Sequence, residues 1–246
     1  MQNYLLSVIT VVKNDQDNIE KTIKSILYQK KINYEYIIVD GKSKDSTLKK
    51  IKKYKSKIKK IISEHDTGIY DAMNKGLKNS KGDVVVFCNS GDTFNKNSLR
   101  KVMKMFNEKN YDFIFATVMR NYTKSQILKS GYNFKRFLYN FDFATSHTTG
   151  FFLKKKIYEK IGYYDTKFKI SADYDLYFRL YKGKFFGGST KKKDIIGNVV
   201  SGGFSSKISF FQHLIEEAKI RIHNKQNILL VIIIFINSLI KKLFKK

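Results

Sequence analysis

Residues 4–12 (YLLSVITVV) are apolar almost without a break, which predicts a strand buried on both faces, as in parallel sheets. Ile19, Ile23, Ile26 and Leu27 then recur at helical spacing, behind an Asp17–Glu20 pair that reads as a capping box. A second strand is predicted at 34–39 (YEYIIV), running into Asp40. Within 48–60, Leu48, Ile51, Tyr54 and Ile58 form an apolar stripe under a lysine-covered face, predicting an amphipathic helix. A short strand at 61–63, a helix over 69–79 and a buried strand at 83–88 (DVVVFC) follow. This alternation predicts βαβ units, a parallel sheet and right-handed crossovers. Ligands of such sheets sit at the carboxyl ends of the strands, so Asn14, Asp40, Asp66 and residues 89–92 are the positions to examine.

Further along, the pattern predicts a helix at 98–106 and a strand at 111–117 (YDFIFAT). A short helix at 133–139, a strand at 150–153 and helices at 155–161 and 173–181 come next. Short strands at 185–189 and 195–200 complete one domain ending near residue 206. The segment 207–246 differs. Phe210, Leu214, Ala218 and Ile222 make a helical stripe, and nine apolar residues follow at 228–236 (ILLVIIIFI). Crossing a bilayer takes about 20 such residues. A helix lying in the membrane interface fits better, with Lys241, Lys242, Lys245 and Lys246 near anionic headgroups. The other reading is a helix packed on the domain or on another subunit, making an oligomer.

Composition narrows the class. An apolar content of 42% with 15% aromatics excludes intrinsic disorder. The single Cys88 excludes a disulfide framework and points to a reducing, cytoplasmic compartment. No charged and apolar leader pattern opens the chain, so a secreted precursor is not expected. The 246 residues hold 48 Lys and Arg against 21 Asp and Glu, a net charge of 48 − 21 = +27. That charge invites nucleic acid, an anionic surface or phosphorylated substrates. Only five of the cations are arginine, the residue that reads nucleic acid bidentately. No nucleic-acid module is present, and the richness in Lys, Ile, Asn and Tyr without any Pro is the profile of AT-rich coding. Nucleic acid is therefore not the expected partner.

Three constellations carry chemistry. Asp40 in VDGKSKDST ends a buried strand, where a carboxylate can accept hydrogen bonds from a ribose or a base imide; a capping loop is the plain alternative. The NSGD run at 89–92 follows another buried strand. One carboxylate with polar neighbours can hold a divalent cation, which would neutralise a diphosphate leaving group; an ordinary turn is equally good chemistry for these residues. In SADYDLYFRL at 171–180, Asp173 and Asp175 open a helix, where acids suit the dipole and one can serve as a general base.

In this order, the segments SVITVVKND, EYIIVDGKSKDST, DTGIYDAMNKGL–KGDVVVFCNSGD and GYYDTKFKISADYDLYFRL resemble the family 2 glycosyltransferases over roughly residues 4–204. GIYDAMNKG is especially similar to the bacterial exopolysaccharide and lipopolysaccharide branch. The resemblance implies an α/β fold of the GT-A type, an α/β/α sandwich with a mostly parallel central sheet. It also implies an inverting transferase that moves a sugar from a nucleotide diphosphate sugar, UDP-linked by expectation, to a saccharide or lipid-linked acceptor. Carried over by position, Thr10, Val12, Asn14, Asp40, Asp66, Asn89 and Gly91 fall on the nucleotide side. Asp92 falls on the metal motif for Mg²⁺ or Mn²⁺, and Asp173 on the catalytic base. The metal motif usually holds two or three acids and keeps one here, while Ala172 replaces the Glu expected before Asp173. His147, Asp175 and Ser205 are candidates for acceptor or diphosphate contacts, with residues 202–206 (GGFSS) as a loop closing over the diphosphate. His213 and His223 read as surface groups. The implied location is cytoplasmic, peripheral at the inner membrane face. A nucleotidyltransferase fits less well, because VVKNDQDN lacks its glycine-rich loop. The alternatives are a basic nucleic-acid-binding protein and a glycosyltransferase-like protein without activity.

Overall fold

The computed structural model describes residues 3–122, 125–139, 148–200 and 208–244. Among the described residues, eleven strands form two sheets. They are β1 (Leu6–Val12), β2 (Tyr34–Asp40), β3 (Lys60–Ser63), β4 (Val84–Phe87), β5 (Thr93–Phe94), β6 (Phe113–Phe115), β7 (Thr117–Asn121), β8 (Gln126–Lys129), β9 (Phe151–Lys154), β10 (Gly187–Ser189) and β11 (Ile195–Val200). The helices are α1 (Ile19–Leu27), α2 (Thr47–Lys52), α3 (Ile69–Asn79), α4 (Ser98–Lys109), α5 (Phe134–Tyr139), α6 (Lys155–Ile161), α7 (Ala172–Lys182), α8 (Phe210–His223) and α9 (Ile228–Leu243).

The large sheet has the order β10-β6-β9-β4-β1-β2-β3. Every pairing in it is parallel except those of β9, which runs antiparallel to β4 and β6. All seven residues of β1 are buried, as the unbroken apolar run predicts. Alternate residues serve opposite cores: Ile9 and Val11 pack with α3 and α7, whereas Leu6, Val8 and Val12 pack with α1 and α4. This period of two, with helices on both faces, makes the α/β/α sandwich.

Several expectations are corrected. The capping box expected at Asp17 is absent: Asn18 is the N-cap of α1 and makes no side-chain cap bond. The long helix expected over 48–60 stops at Lys52 and gives way to a 3₁₀ turn, because the chain must turn back to enter β3; Ile51 and Ile58 are buried all the same. The strand expected at 111–117 is two strands. At Ala116, whose amide N–H donates to the Gly150 carbonyl, the chain leaves β9 and pairs instead with β11. There it joins the second sheet, β5-β11-β7-β8, of which β5 and β8 have no clear sequence signal.

Helix α8 has a capping box, Ser209 with Gln212, and packs against α7; its Ile220 belongs to the core cluster on the α3/α7 side. Helix α9 packs on α8.

Candidate active site

The loops leaving β1 and β2 are locked together. The Val12 carbonyl, at the end of β1, accepts the Gly41 amide N–H at 2.8 Å. Asn14 adopts a left-handed backbone, φ 50°. Its amide N–H donates to Ser43 Oγ, and its Oδ1 accepts the Lys44 amide N–H, both at 2.8 Å. Asp66, just beyond β3, leans over Gly41: a β-carbon on Gly41 would stand 2.1 Å from Asp66 Oδ2. Lys13 Nζ lies 3.7 Å from Asp66 Oδ1. Val12, Asn14 and Asp66 therefore share one wall at the carboxyl edge of β1–β3. Gly41→Ala is expected to push Asp66 aside with little change in melting temperature, and to weaken about tenfold any nucleotide that rests on this wall. Titration calorimetry and a thermal melt check both halves.

Two other expected nucleotide contacts point inward. Thr10 is fully buried; its hydroxyl donates to the Cys88 carbonyl at 2.8 Å and lies 3.0 Å from Tyr36 Oη, tying β1 to both neighbouring strands. Asp40 is fully buried as well. Its carboxylate accepts the Ser43 amide and hydroxyl and, at 2.6 Å, the Ser63 hydroxyl. In this conformation Asp40 fastens the β2 loop to β3, since burial makes a carboxylate collect every nearby donor.

Residues 89–92 form a turn in which the Asp92 amide N–H donates to the Asn89 carbonyl at 3.0 Å. Gly91 holds φ +95°, and a β-carbon there would meet Val200 Cγ2 at 2.8 Å, so the position requires glycine. Thr22 of α1 clamps the turn: its Oγ1 accepts the Gly91 N–H at 2.9 Å and donates to the Asp92 carbonyl at 2.8 Å. The Asp92 side chain is buried. Oδ2 accepts the Thr149 hydroxyl at 2.6 Å, and Oδ1 the Val200 amide N–H at 3.1 Å. Beside it, Asn89 Oδ1 and Ser90 Oγ are buried without a hydrogen-bond partner among the described residues. Unpartnered buried oxygens cost about 1–3 kcal/mol each; a cation would relieve that cost at Asn89 Oδ1, and a phosphate oxygen accepting the Ser90 hydroxyl would relieve it there. One carboxylate with a bare amide oxygen suits a hard divalent ion that keeps water and phosphate oxygens in its shell. No group of three or more His, Cys, Asp or Glu side chains converges among the described residues, so the donor set fits a shared ion and not a closed protein cage.

Asp173 and Asp175 part company on α7. From Ala172 to Phe178 only Asp173 escapes full burial. Its Oδ1 accepts the Tyr70 hydroxyl of α3 at 3.0 Å and the Tyr174 amide N–H at 2.9 Å. Burial, reinforced by the Asp173 charge, raises the Tyr70 hydroxyl well above its ordinary pKa, which keeps it a donor. Asp175 is 1% exposed; Arg179 Nε donates to Oδ2 at 2.8 Å and Asn224 Nδ2 to Oδ1 at 2.7 Å. Oδ2 thus pairs within α7 with an arginine that also holds the carbonyls of Ile161, Gly162 and Tyr163, and Oδ1 ties α7 to the end of α8, so in this conformation Asp175 is part of a buried structural network. His147, Ser205 and the 202–206 loop lie outside the described residues.

Helix α8 supplies residues that the sequence reading missed. The Glu216 carboxylate accepts the amide N–H groups of Ile170 and Ser171, at 2.6 and 2.7 Å, steadying the entry into α7. His213, expected on the surface, is half-buried, with Nδ1 3.5 Å from Ser171 Oγ. Glu217 is pushed up to about 8 by burial, against the pull of Arg221 and with repulsion from Asp173 and Glu216. The spacing of 213, 216 and 217 puts all three on one helical face, which was the available signal. Because Glu217 titrates higher folded than unfolded, its contribution is complete below its ordinary pKa and is lost as pH rises toward about 8. Wild-type melting temperature is expected to fall between about pH 4.5 and about pH 8, and Glu217→Gln to flatten that fall in a buffer series. Near Asp92, the register pairs Asn121 with Val200; Arg120 Nε and Asn121 Oδ1 are further buried atoms without a partner among the described residues.

The sequence profile of Glycosyl transferase family 2 matches residues 7–178. The chain belongs to glycosyltransferase family 2. Among relatives of this glycosyltransferase is WfgD of Escherichia coli, a UDP-Glc:α-D-GlcNAc-diphosphoundecaprenol β-1,3-glucosyltransferase. It is 31% identical over 117 residues, or 47% of this chain and 46% of WfgD. The chain spans about half the length of the curated relatives it matches. The crystal structure of Staphylococcus aureus TarS 1-349 in complex with UDP-GlcNAc superposes with a TM-score of 0.72 at 18% identity, covering 95% of this chain and 71% of that one. The mannosyltransferase PcManGT from Pyrobaculum calidifontis, in complex with GDP-Man and Mn²⁺, gives 0.62 at 15% identity, covering 91% and 63%. At these identities the structures share the fold of this glycosyltransferase, which is the GT-A sandwich.

Proposed function

We propose that this glycosyltransferase moves a sugar, with inversion, from a UDP-sugar to a hydroxyl of a saccharide or lipid-linked acceptor in bacterial surface-polymer synthesis. The observation that carries the reading is the division of labour on α7. Asp175 is buried and bonded by Arg179 and Asn224, whereas Asp173 is only half-buried, with Oδ1 positioned by the Tyr70 hydroxyl and the Tyr174 amide. A single positioned carboxylate is what a one-step displacement requires: it takes the acceptor proton as the oxygen attacks.

Asp92 and Asn89 Oδ1 would hold Mg²⁺ or Mn²⁺ against the diphosphate, and the ion would supply charge neutralisation for the leaving group. The wall of Val12, Asn14 and Asp66 would receive the uridine. Two relationships support the donor and acceptor classes: TarS was solved with UDP-GlcNAc, and WfgD is a UDP-Glc transferase acting on a diphosphoundecaprenol-linked sugar. Neutral Glu217 below about pH 8 spares Asp173 a second nearby charge.

A thermal-shift panel of UDP, GDP and their sugars, with and without Mn²⁺, tests the reading. Stabilisation by UDP that grows with Mn²⁺ is expected. Equal indifference to every nucleotide, with or without metal, overturns it.

A further inference from the structure

Helix α9 presents its apolar side chains to the outside. Val231 and Ile234 are buried, and they anchor the helix to α8. On the outer side Leu229, Ile232, Ile233, Ile236, Ile240 and Leu243 are 46–77% exposed. These positions recur at helical spacing, so they form one continuous stripe. A helix that faced water on that side would carry polar residues there, and a patch of this kind marks an interaction surface. At sixteen residues α9 would be about 24 Å long, short of the ~30 Å hydrocarbon core. Among the described residues no helix is long and apolar enough to cross a membrane.

Charge selects the occupant. After Glu217 the sequence contains no Asp or Glu, and every charged residue to the end is Lys or Arg. Lys241 and Lys242 occupy the last turn of α9, directly beyond the apolar stripe. An apolar face followed by cations, without one acid, complements an anionic lipid surface. A second copy of a chain with net charge +27 would instead bring like charges together.

The helix pair also gives the surface a direction. Lys242 Nζ lies 5.6 Å from the centre of the Phe210 ring, so the basic end of α9 returns to the start of α8. That same end of α8 carries His213, Glu216 and Glu217, which flank the start of α7 and Asp173. We infer that α9 lies in the plane of an anionic membrane surface and holds the Asp173 side of the cleft at the headgroup level, where an acceptor sugar on a lipid diphosphate would project. This placement rests on the proposed transferase reading for its acceptor, but the docking itself does not need it.

The chain contains no tryptophan, so Ile233→Trp creates a single reporter on the exposed stripe of the full-length protein. With vesicles containing about 30% phosphatidylglycerol in phosphatidylcholine, its emission is expected to shift to the blue and to resist aqueous quenchers. A control protein carrying Ile127→Trp, at an exposed position of β8, is expected to stay unshifted, which separates insertion of α9 from adhesion by the lysine coat. Ile232→Glu/Ile236→Glu should lower vesicle affinity at least tenfold, and Lys241→Gln/Lys242→Gln by about fivefold per lysine. Stabilisation by UDP should be unchanged in both, so loss of docking and loss of the transferase reading give different results. Three outcomes overturn the inference: unshifted emission of the Ile233→Trp protein on anionic vesicles, undiminished vesicle affinity of the Ile232→Glu/Ile236→Glu protein, or a blue shift that follows protein concentration without lipid, which would assign the stripe to a second copy.

Discussion

Asp173→Asn is expected to lower kcat by about 10²–10⁴-fold while leaving UDP affinity within about twofold. The amide keeps the oxygen that accepts the Tyr70 hydroxyl and the Tyr174 N–H, at 3.0 and 2.9 Å, so the helix start should be undisturbed. The ability to take a proton is lost. Steady-state kinetics with calorimetric UDP titration measures the two effects separately. Transfer at the wild-type rate would remove Asp173 from the role of base. Asp175→Asn makes the contrasting case. That side chain holds Arg179 within α7 and Asn224 at the end of α8, so its replacement should lower stability before it lowers turnover per folded molecule.

Arg221→Met is expected to cost about 3–5 kcal/mol of stability. Arg221 is fully buried on α8. Its guanidinium donates to the carbonyls of Phe137 and Leu138 at 2.8 and 2.9 Å, to Gln226 Oε1 at 2.7 Å and to the Tyr174 hydroxyl. The rings of Tyr174 and Phe178 flank it, each centred 5.4 Å away. Removing the cation strands the Phe137 carbonyl, leaves the Leu138 carbonyl only its bond from Gln226 Nε2, and takes away the charge that opposes the raised pKa of Glu217. For a chain of this length the loss corresponds to a melting temperature lower by roughly 10 °C. Lysine should recover only part of it, because a single ammonium cannot span acceptors on α5, α7 and the α8 exit together. Urea denaturation of the two variants gives the comparison.

The core strands were legible because burial on both faces leaves no other pattern: β1, β4 and helix α3 fall where periodicity puts them. The candidate site was legible in outline for a related reason. Polar residues directly after buried strands have nowhere to go but the carboxyl edge, and Asn14, Asp66 and residues 89–92 are found there; Asp173 opens a helix instead and is tied to the start of α3 through Tyr70. What each carboxylate does was not legible. Asp40 and Asp66 both follow strands, yet Asp40 is closed off by Ser43 and Ser63, residues 3 and 23 positions away, while Asp66 stands over Gly41. Asp173 and Asp175 differ by two positions on one helix, and Arg179 one turn on together with Asn224 at the end of α8 fixes Asp175 in a buried network.

By itself, the sequence determined the alternation of elements, the buried central strands, the edge on which chemistry collects and the apolar, acid-free character of α9. Each of these follows from local spacing and composition, which short segments carry intact. Tertiary structure alone decided the break at Ala116 that sends one apolar run into two sheets, the burial of Asp40, Asp92 and Asp175, and the recruitment of Glu216, Glu217 and Arg221 around the start of α7. Those outcomes depend on donors and strand partners tens of residues away, and a buried polar group takes its role from whichever partner the fold brings to it.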